Sequence, residues 1–179
     1  LEVPLYFAPR GFTETPSLKR SNAFDLVAEE CHAVRRDVGL LDITGFSRFE
    51  VTGPNAEAWL TRVLAGRMPK PGKAALAPML SPEGRMKGDL TVFNWGDGRW
   101  WIMGSYYLRA WHMRWFSQYA ETGVEVRDLG EEWAGFSLAG PKSKQVIEQL
   151  TDGDIGQLEF MGCGTFDIGL LRTRIGRLS

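Results

Sequence analysis

One carboxylate stands out because of the segment in which it lies. Asp89 falls within residues 86–94, which read as a β-strand, although strands disfavour aspartate. Gly88 precedes it, and a glycine inside a strand often marks close approach of another group to the backbone. In a cavity, a partly desolvated carboxylate stabilises positive charge or accepts a proton. The alternative is an aspartate on an edge strand in water.

Aromatic residues are concentrated shortly after this segment, and flat rings of this kind can form a stacking slot for a heteroaromatic ligand. Trp111 and Trp115 lie at helical spacing, which is more typical of a core stripe than of a binding slot. Tyr106 and Tyr107 fall at a predicted strand-to-helix junction. The two tyrosines are therefore the better candidates to line a cavity.

The sequence lacks the motifs of several other common catalytic and cofactor-binding sites. The sequence contains no phosphate-binding Gly-Lys-Ser/Thr loop, no GxGxxG and no nucleophile elbow. His32 and His112 lie on predicted helices, where a lone histidine is more often solvent-facing or packed than catalytic. Cys31 and Cys163 are too far apart for a metal knuckle and too few for a disulfide framework. We expect neither a hydrolytic triad nor a zinc site, and we interpret the cysteines as reduced thiols of a cytoplasmic protein.

Composition narrows the class of partner. The 179 residues (20.1 kDa) are enough for one domain with a sizeable core. Lys plus Arg (21) against Asp plus Glu (22) gives a net charge of −1, and no basic stripe is present. Binding to nucleic acid therefore lacks its usual electrostatic basis. No apolar run is long enough to span a membrane. A small molecule or a protein partner is expected.

The spacing of apolar residues and the turn residues predict the helices and strands that must position Asp89. Residues 1–20 are rich in proline and predict an extended lead-in or linker. Helical spacing predicts a helix over 21–39. Pro82 and Gly84 suit a type I turn in a hairpin. The remaining predicted elements are a hairpin closing at 96–98, a helix from about 108 to 123, a strand over 124–128 and two last strands over 164–171 and 173–178.

An internal repeat links two parts of the chain. Residues 49–66 match residues 136–153 at a constant offset of 136 − 49 = 87, with Phe, Gly, Pro and the last Gly identical and the apolar positions in register. Both segments predict a strand, a Gly-Pro turn and a helix. The alternative is that Gly-Pro is merely a common strand-to-helix junction.

These elements predict an α+β fold, with antiparallel sheets, flanking helices and a duplicated strand-Gly-Pro-helix unit. We place the lead-in at 1–20 and the domain at 21–179. The first repeat covers about 40–120 and the second about 121–179, where it is cut short.

Eight short motifs then make the sequence recognisable when they are taken together. They are residues 21–24, 33–35, 38–42, 49–54, 78–85, 88–92, 112–116 and 138–143. Their combination resembles the folate-binding aminomethyltransferase family, to which the glycine-cleavage T-protein belongs. It is most similar to the branch that follows a flavin domain in dimethylglycine and sarcosine dehydrogenases.

The resemblance implies a function and a set of site residues. Family members use tetrahydrofolate to capture a one-carbon unit from an aminomethyl or iminium donor, which gives 5,10-methylenetetrahydrofolate. Their key carboxylate maps onto Asp89, where it is expected to stabilise the cationic iminium in a water-poor cavity. Walls of the folate cavity are expected at Leu76, Met79, Gly88, Ser105 and Tyr106.

Departures from the family pattern qualify this implication. T-proteins often have Tyr where this chain has Leu76, and Asn where it has Ser105. The glutamate that grips the pterin follows in the family roughly where Ser179 stands, and the C-terminal barrel lies further on. We expect the 179 residues by themselves to be a poor enzyme.

The resemblance also implies partners and leaves alternatives. The expected partners are folate, an amine-derived one-carbon donor and a flavin oxidoreductase domain or subunit, with FAD only in such an upstream domain. A non-catalytic folate-sensing or scaffold module has the same fold. A third alternative is folate-dependent demethylation of another methyl donor, such as a sulfonium compound.

Overall fold

The computed structural model describes residues 4–152 and 154–178. Within these ranges the chain forms four α-helices and twelve strands. Residues 1–3 of the predicted lead-in, and Ser179 at the predicted end of the second repeat, lie outside these ranges. The helices are α1 (Phe24–Arg36), α2 (Ala56–Val63), α3 (Arg109–Gln118) and α4 (Ser143–Leu150). The strands are β1 (Gly39–Asp42), β2 (Ser47–Thr52), β3 (Lys73–Leu76), β4 (Met79–Leu80), β5 (Met86–Gly88), β6 (Thr91–Asn94), β7 (Trp100–Gly104), β8 (Glu125–Asp128), β9 (Phe136–Ala139), β10 (Thr151–Asp152), β11 (Gly162–Ile168) and β12 (Leu171–Arg177).

The main sheet is antiparallel and has eight strands in the described part of the chain. Seven of them follow the order β10-β11-β3-β6-β7-β2-β8, and β12 also pairs with β11. Two smaller ribbons, β1-β9 and β4-β5, accompany it. This architecture confirms the predicted α+β class with antiparallel sheets and flanking helices.

Both faces of the main sheet carry buried apolar side chains, which form two separate clusters. On one face α2 and α3 pack against β2, β6 and β7 through fully buried side chains that include Phe49, Trp59 and Phe116. The opposite face carries a second cluster around Phe93, Trp101 and Leu129. The larger, helix-covered core supplies most of the buried apolar area and hence most of the hydrophobic stabilisation.

The duplicated unit is confirmed by its backbone geometry. Gly53 and Gly140 open the two Gly-Pro turns with φ of 110° and 114°, a region that favours glycine. In each turn the residue after proline donates its N–H to a distant carbonyl: Asn55 to Gly123 at 3.1 Å and Lys142 to Asp37 at 3.0 Å. The helices that follow, α2 and α4, have eight residues each.

The two repeats exchange partners. Strand β2 of the first repeat pairs with β8, which follows α3, whereas β9 of the second pairs with β1, which follows α1. The repeats also join directly, because Ala74 donates to Met161 at 2.7 Å and Cys163 donates to Gly72 at 2.8 Å. The repeat boundary near residue 120 stays a prediction, since β8 lies beyond it and pairs with the first repeat.

Several predicted elements appear with shifted ends. The last two strands lie at Gly162–Ile168 and Leu171–Arg177, so their turn falls earlier than predicted. The third helix ends at Gln118 instead of near residue 123. Just past that end the Tyr119 carbonyl accepts a hydrogen bond from the Trp59 indole at 2.6 Å, and Gly123 has a φ of 80°, which is not helical.

The described part of the lead-in is irregular and is attached to α1. The Phe7 amide donates to the Glu30 carboxylate at 2.7 Å, and the Thr15 amide donates to the Asn22 side chain at 2.7 Å. These contacts join the segment to the domain, whereas its role as a linker stays a prediction.

Candidate functional site

Strand register brings the predicted site residues to one end of the main sheet. Leu76 at the end of β3 lies opposite Thr91 at the start of β6, and Thr91 lies opposite Met103 of β7. Asp89 comes two residues before Thr91, and Ser105 comes two residues after Met103. The topology therefore places Leu76, Asp89 and Ser105 around the same sheet end.

The environment of Asp89 differs from the expectation of a buried strand residue. The strand predicted over 86–94 is interrupted at residues 89–90, and Asp89 is exposed. At the interruption Leu90 turns into the core, where it is 1% exposed, and its carbonyl accepts a hydrogen bond from Ala77 at 2.8 Å. The expectation of a water-poor setting for Asp89 is therefore wrong for this chain by itself.

Two of the predicted cavity walls lie beneath the surface. Met79 is fully buried in the main core, because β4 bridges to Leu64 and turns the side chain inward. Gly88 is also buried, and a Cβ atom added there would lie 2.7 Å from Nε2 of His112. Close packing against this ring explains the glycine without a ligand.

The other predicted wall residues are accessible. Leu76 is 70% exposed and Tyr106 is 41% exposed, while Ser105 is exposed at the start of a short 3-10 helix, Tyr106–Leu108. Tyr107 is more exposed still. Trp115 packs against the core, as its helical spacing predicted, whereas Trp111 lies at the surface. The sheet end thus combines an apolar side chain, a phenol and a carboxylate.

The Asp89 carboxylate is not used by the fold. Within the described residues it takes part in no hydrogen bond and no salt bridge of the structure. An exposed carboxylate without a partner is available as an acceptor for N–H donors or as a counter-charge for a cation. This arrangement suits a ligand with ring N–H groups and a flat face.

Two surface cavities lie elsewhere on the chain. One of about 250 Å³ lies between the ends of α2 and α3, where Arg62, Trp115 and Tyr119 line it. The other, of about 440 Å³, is lined mainly by charged residues that include Glu50, Arg99 and Arg127. Asp89 lines neither of them.

The charged cavity centres on a buried glutamate. Glu50 accepts hydrogen bonds from Arg99 at 3.1 Å, from Arg127 at 3.3 Å and from the Trp101 indole at 3.2 Å. Burial raises the pKa of Glu50, but these three donors outweigh it, so the pKa lies below its usual value. The cluster joins β2 to β7 and β8 and holds the sheet together at this point.

Sequence reasoning missed this cluster and gave little weight to His112. The only local signal for Glu50 was its alternation with Phe49 and Val51, which predicts a face and not a partner. His112 is fully buried, and neither of its ring nitrogens has a hydrogen-bond partner among the described residues. Burial therefore lowers the pKa of His112 and favours the neutral ring.

The thiols and carboxylates of the described residues form no cluster of three or more metal-ligating groups. Cys31 is exposed on α1, and Cys163 is buried. Burial raises the pKa of Cys163 to about 11, which keeps it as an unreactive thiol. Within the described ranges, no helix is both long and apolar enough to cross a membrane.

The fold and its sheet end define a class: an α+β domain built from a duplicated strand-Gly-Pro-helix unit, with a carboxylate presented where three strands meet. The chain belongs to the family described as the GCVT N-terminal domain, whose model matches residues 1–179. This agrees with the resemblance that the motifs predicted.

A curated relative and two solved structures are similar to the chain. Mitochondrial dimethylglycine dehydrogenase of Mus musculus is 28% identical over 169 residues, which cover 92% of this chain and 19% of that protein. The glycine cleavage system aminomethyltransferase T from Bartonella henselae is 22% identical with a TM-score of 0.70, over 77% of this chain and 38% of that one. Heterotetrameric sarcosine oxidase from Corynebacterium sp. U-96, in complex with pyrrole 2-carboxylate, is 18% identical with a TM-score of 0.63. That match covers 91% of this chain and 83% of that one.

These matches differ in what they establish. The two structures show the fold, and the chain spans only about a fifth of the length of the mouse dehydrogenase, 19%. What the longer proteins bind and transform is therefore a matter for proposal.

Proposed function

We propose that this chain is the folate-binding part of a tetrahydrofolate-dependent one-carbon transferase that forms 5,10-methylenetetrahydrofolate. We place it in a protein like the dimethylglycine and sarcosine dehydrogenases. The observation that supports this best is that strand register places the unpaired Asp89, exposed Leu76 and the segment of Ser105 and Tyr106 at one sheet end, in a chain of this family.

The residues present fit a reduced pteridine. Its ring system has a flat face and several N–H donors, and the sheet end offers an apolar side chain, a phenol ring and an acceptor without a partner. Leu76 and Tyr106 would flank the ring, while Ser105 supplies a polar contact beside them. Met79 and Gly88 support the site from beneath.

When bound, tetrahydrofolate supplies the nitrogens that accept the one-carbon unit. The chain's own contribution is electrostatic: Asp89 accepts N–H hydrogen bonds and stabilises the cationic iminium donor as it approaches. Unit charges 4 Å apart attract by about 1 kcal/mol in water but by about 4 kcal/mol at an effective dielectric constant near 20. Because Asp89 is exposed here, the role requires that water be excluded from it when the ligands bind.

The test is Asp89→Asn in the full-length protein. We expect the rate of methylene transfer to fall about a hundredfold or more, as for loss of a charged group that acts on the transition state. Calorimetry should show tetrahydrofolate affinity little changed, because the amide keeps an oxygen acceptor. Asp25→Asn, on exposed α1, is the matched control and should leave both quantities unchanged.

Each alternative function gives a different result in the same assay. A wild type that binds tetrahydrofolate without forming any product contradicts transfer and supports a folate-sensing or scaffold module. Formation of 5-methyltetrahydrofolate from a methyl donor indicates a demethylase instead. An Asp89→Asn variant with full transfer activity removes Asp89 from the proposal.

The proposed partner is a flavin oxidoreductase domain or subunit that carries FAD and produces the iminium. Its support is the similarity to dimethylglycine dehydrogenase and to a heterotetrameric sarcosine oxidase. The compartment remains a prediction, because the two unpaired cysteines suggested a cytoplasmic protein whereas the mouse relative is mitochondrial by name.

A further inference from the structure

The ring of His112 lies between the two backbone segments that carry the proposed site residues. His112 is in the first turn of α3 and is fully buried. A Cβ atom added at Gly88 would lie 2.7 Å from its Nε2, and one added at Gly104 would lie 3.2 Å from its Cε1. Gly88 immediately precedes Asp89, and Gly104 immediately precedes Ser105.

A side chain at Gly88 would therefore clash with the ring, and one at Gly104 would press against it. A Cβ at Gly104 would also come within 2.6 Å of Leu90, the residue that follows Asp89. The imidazole and the Leu90 side chain thus fill the space under the sheet end from the helix side. Any shift of the ring has to be accommodated by the backbone next to Asp89 or next to Ser105, because packed interiors leave few voids.

The polar nitrogens of the His112 ring indicate that its role is more than to fill space in the core. Phe49 and Phe116 approach it with ring centroids at 6.3 and 6.4 Å, and neither ring nitrogen has a hydrogen-bond partner among the described residues. A buried polar atom without a partner costs free energy, which an apolar side chain of similar volume avoids. Such atoms in native proteins need an explanation, and a functional role of the group is among the recognised ones.

We propose that His112 is a positioning residue that fixes where the Asp89 and Ser105 segments leave the sheet, and so aligns both side chains for one-carbon transfer. This inference rests on the proposed function. It assigns His112 no contact with folate or with the reacting atoms. Misplacement of a reacting group by about 1 Å costs up to about a hundredfold in rate, so a small shift of these segments is enough to be measured.

The first experiment compares His112→Leu with Val63→Ala in the full-length protein. Leucine is close to histidine in volume, and Val63 is buried in the same core at the end of α2. For His112→Leu we expect the transfer rate per folded molecule to fall by about tenfold or more while tetrahydrofolate affinity stays unchanged. Val63→Ala should keep both, once its folded fraction is measured by urea denaturation.

A double-mutant cycle tests the contact itself. Gly88→Ala should lower the transfer rate in the wild-type background, because the new Cβ meets the imidazole. In the His112→Ala background the same change should have little further effect, since the space is then free. Additive effects of the two substitutions would contradict a role exerted through this contact.

Nitrogen NMR of labelled histidine gives a readout that does not depend on activity. In the full-length protein, the His112 signals are those lost in His112→Leu, and the signals lost in His32→Leu, on exposed α1, serve as the internal reference. Addition of tetrahydrofolate should shift the His112 signals and leave those of His32 in place.

The outcomes separate the two proposals. If wild-type protein forms no 5,10-methylenetetrahydrofolate, the proposed function fails and this inference fails with it. If the wild type is active but His112→Leu keeps the full rate, or the His112 signals stay unmoved at saturating folate, only the positioning role is overturned.

Discussion

The same strand-Gly-Pro-helix unit occurs twice in this chain and has two different environments. In the first repeat every residue of β2 except Thr52 is buried, and α2 buries Ala56, Trp59, Leu60 and Val63. In the second repeat β9 has no buried residue, and neither does α4. The turns have almost the same geometry, so the difference lies in what covers each unit.

Neighbouring strands account for the difference. Strand β2 lies between β7 and β8, whereas β9 pairs with β1 in a two-stranded ribbon. Large apolar side chains of that ribbon are exposed, among them Leu40 at 65% and Phe136 at 59%. A local sequence pattern thus specifies the unit, while burial is added by strands from elsewhere in the chain.

The largest expected difference is in the free energy of unfolding that alanine removes at equivalent positions of α2 and α4. Leu60 is fully buried in α2, and Ile147, at the 87-residue offset, is only partly buried in α4. In the 179-residue chain, Leu60→Ala should reduce the free energy of unfolding by about 2–5 kcal/mol, and Ile147→Ala by about 1 kcal/mol or less. Urea denaturation of the two variants measures this, and equal losses would mean that the second repeat is as well packed as the first.

At the two Gly-Pro turns, in contrast, substitution of the glycine should lower the free energy of unfolding by similar amounts. A Cβ at Gly53 would lie 2.3 Å from the Gly123 carbonyl oxygen, and one at Gly140 would lie 2.5 Å from that of Asp37. Since φ is positive at both, alanine should cost about 1–3 kcal/mol at each position, before the clash with the carbonyl oxygen is relieved. Similar losses in urea denaturation are expected, and a loss at Gly53 alone would break the equivalence of the two turns.

The smallest expected difference concerns the two histidines, which lie on the helices that precede β1 and β8. Burial lowers the pKa of His112, so the unfolded chain binds a proton more readily than the folded chain. The free energy of unfolding should therefore fall as the pH drops below about 6.5, by at most about 1.4 kcal/mol per pH unit from this group. Urea denaturation between pH 7.5 and pH 5.5 should show this slope in the wild type and in His32→Leu, but not in His112→Leu.

Much of the fold followed from local signals. Apolar spacing and the Gly-Pro turns predicted the helices, the hairpins and the duplicated unit, because these elements depend on residues near one another in sequence. The sequence predicted their ends less well: α3 ends at Gln118, and the next carbonyl accepts a hydrogen bond from Trp59, a residue of another helix. That contact joins positions 60 residues apart and leaves no local trace.

The candidate site divides in the same way. The sequence singled out Asp89, Leu76 and Tyr106 from their types and from the family motifs, and strand register then brought Leu76, Asp89 and Ser105 to one sheet end. It did not predict that Asp89 is exposed, that Met79 belongs to the core or that His112 lies against Gly88. Exposure and contact are set by several segments at once.

By itself, the sequence determined the α+β class, the repeated unit and the family, since residue type and spacing carry this information. Tertiary structure alone decided the exchange of strands between repeats, the partners of Glu50 and the position of the His112 ring. The physical reason is that strand pairing and helix packing join residues far apart in the chain. Which of the allowed contacts form then depends on the packing of the whole domain.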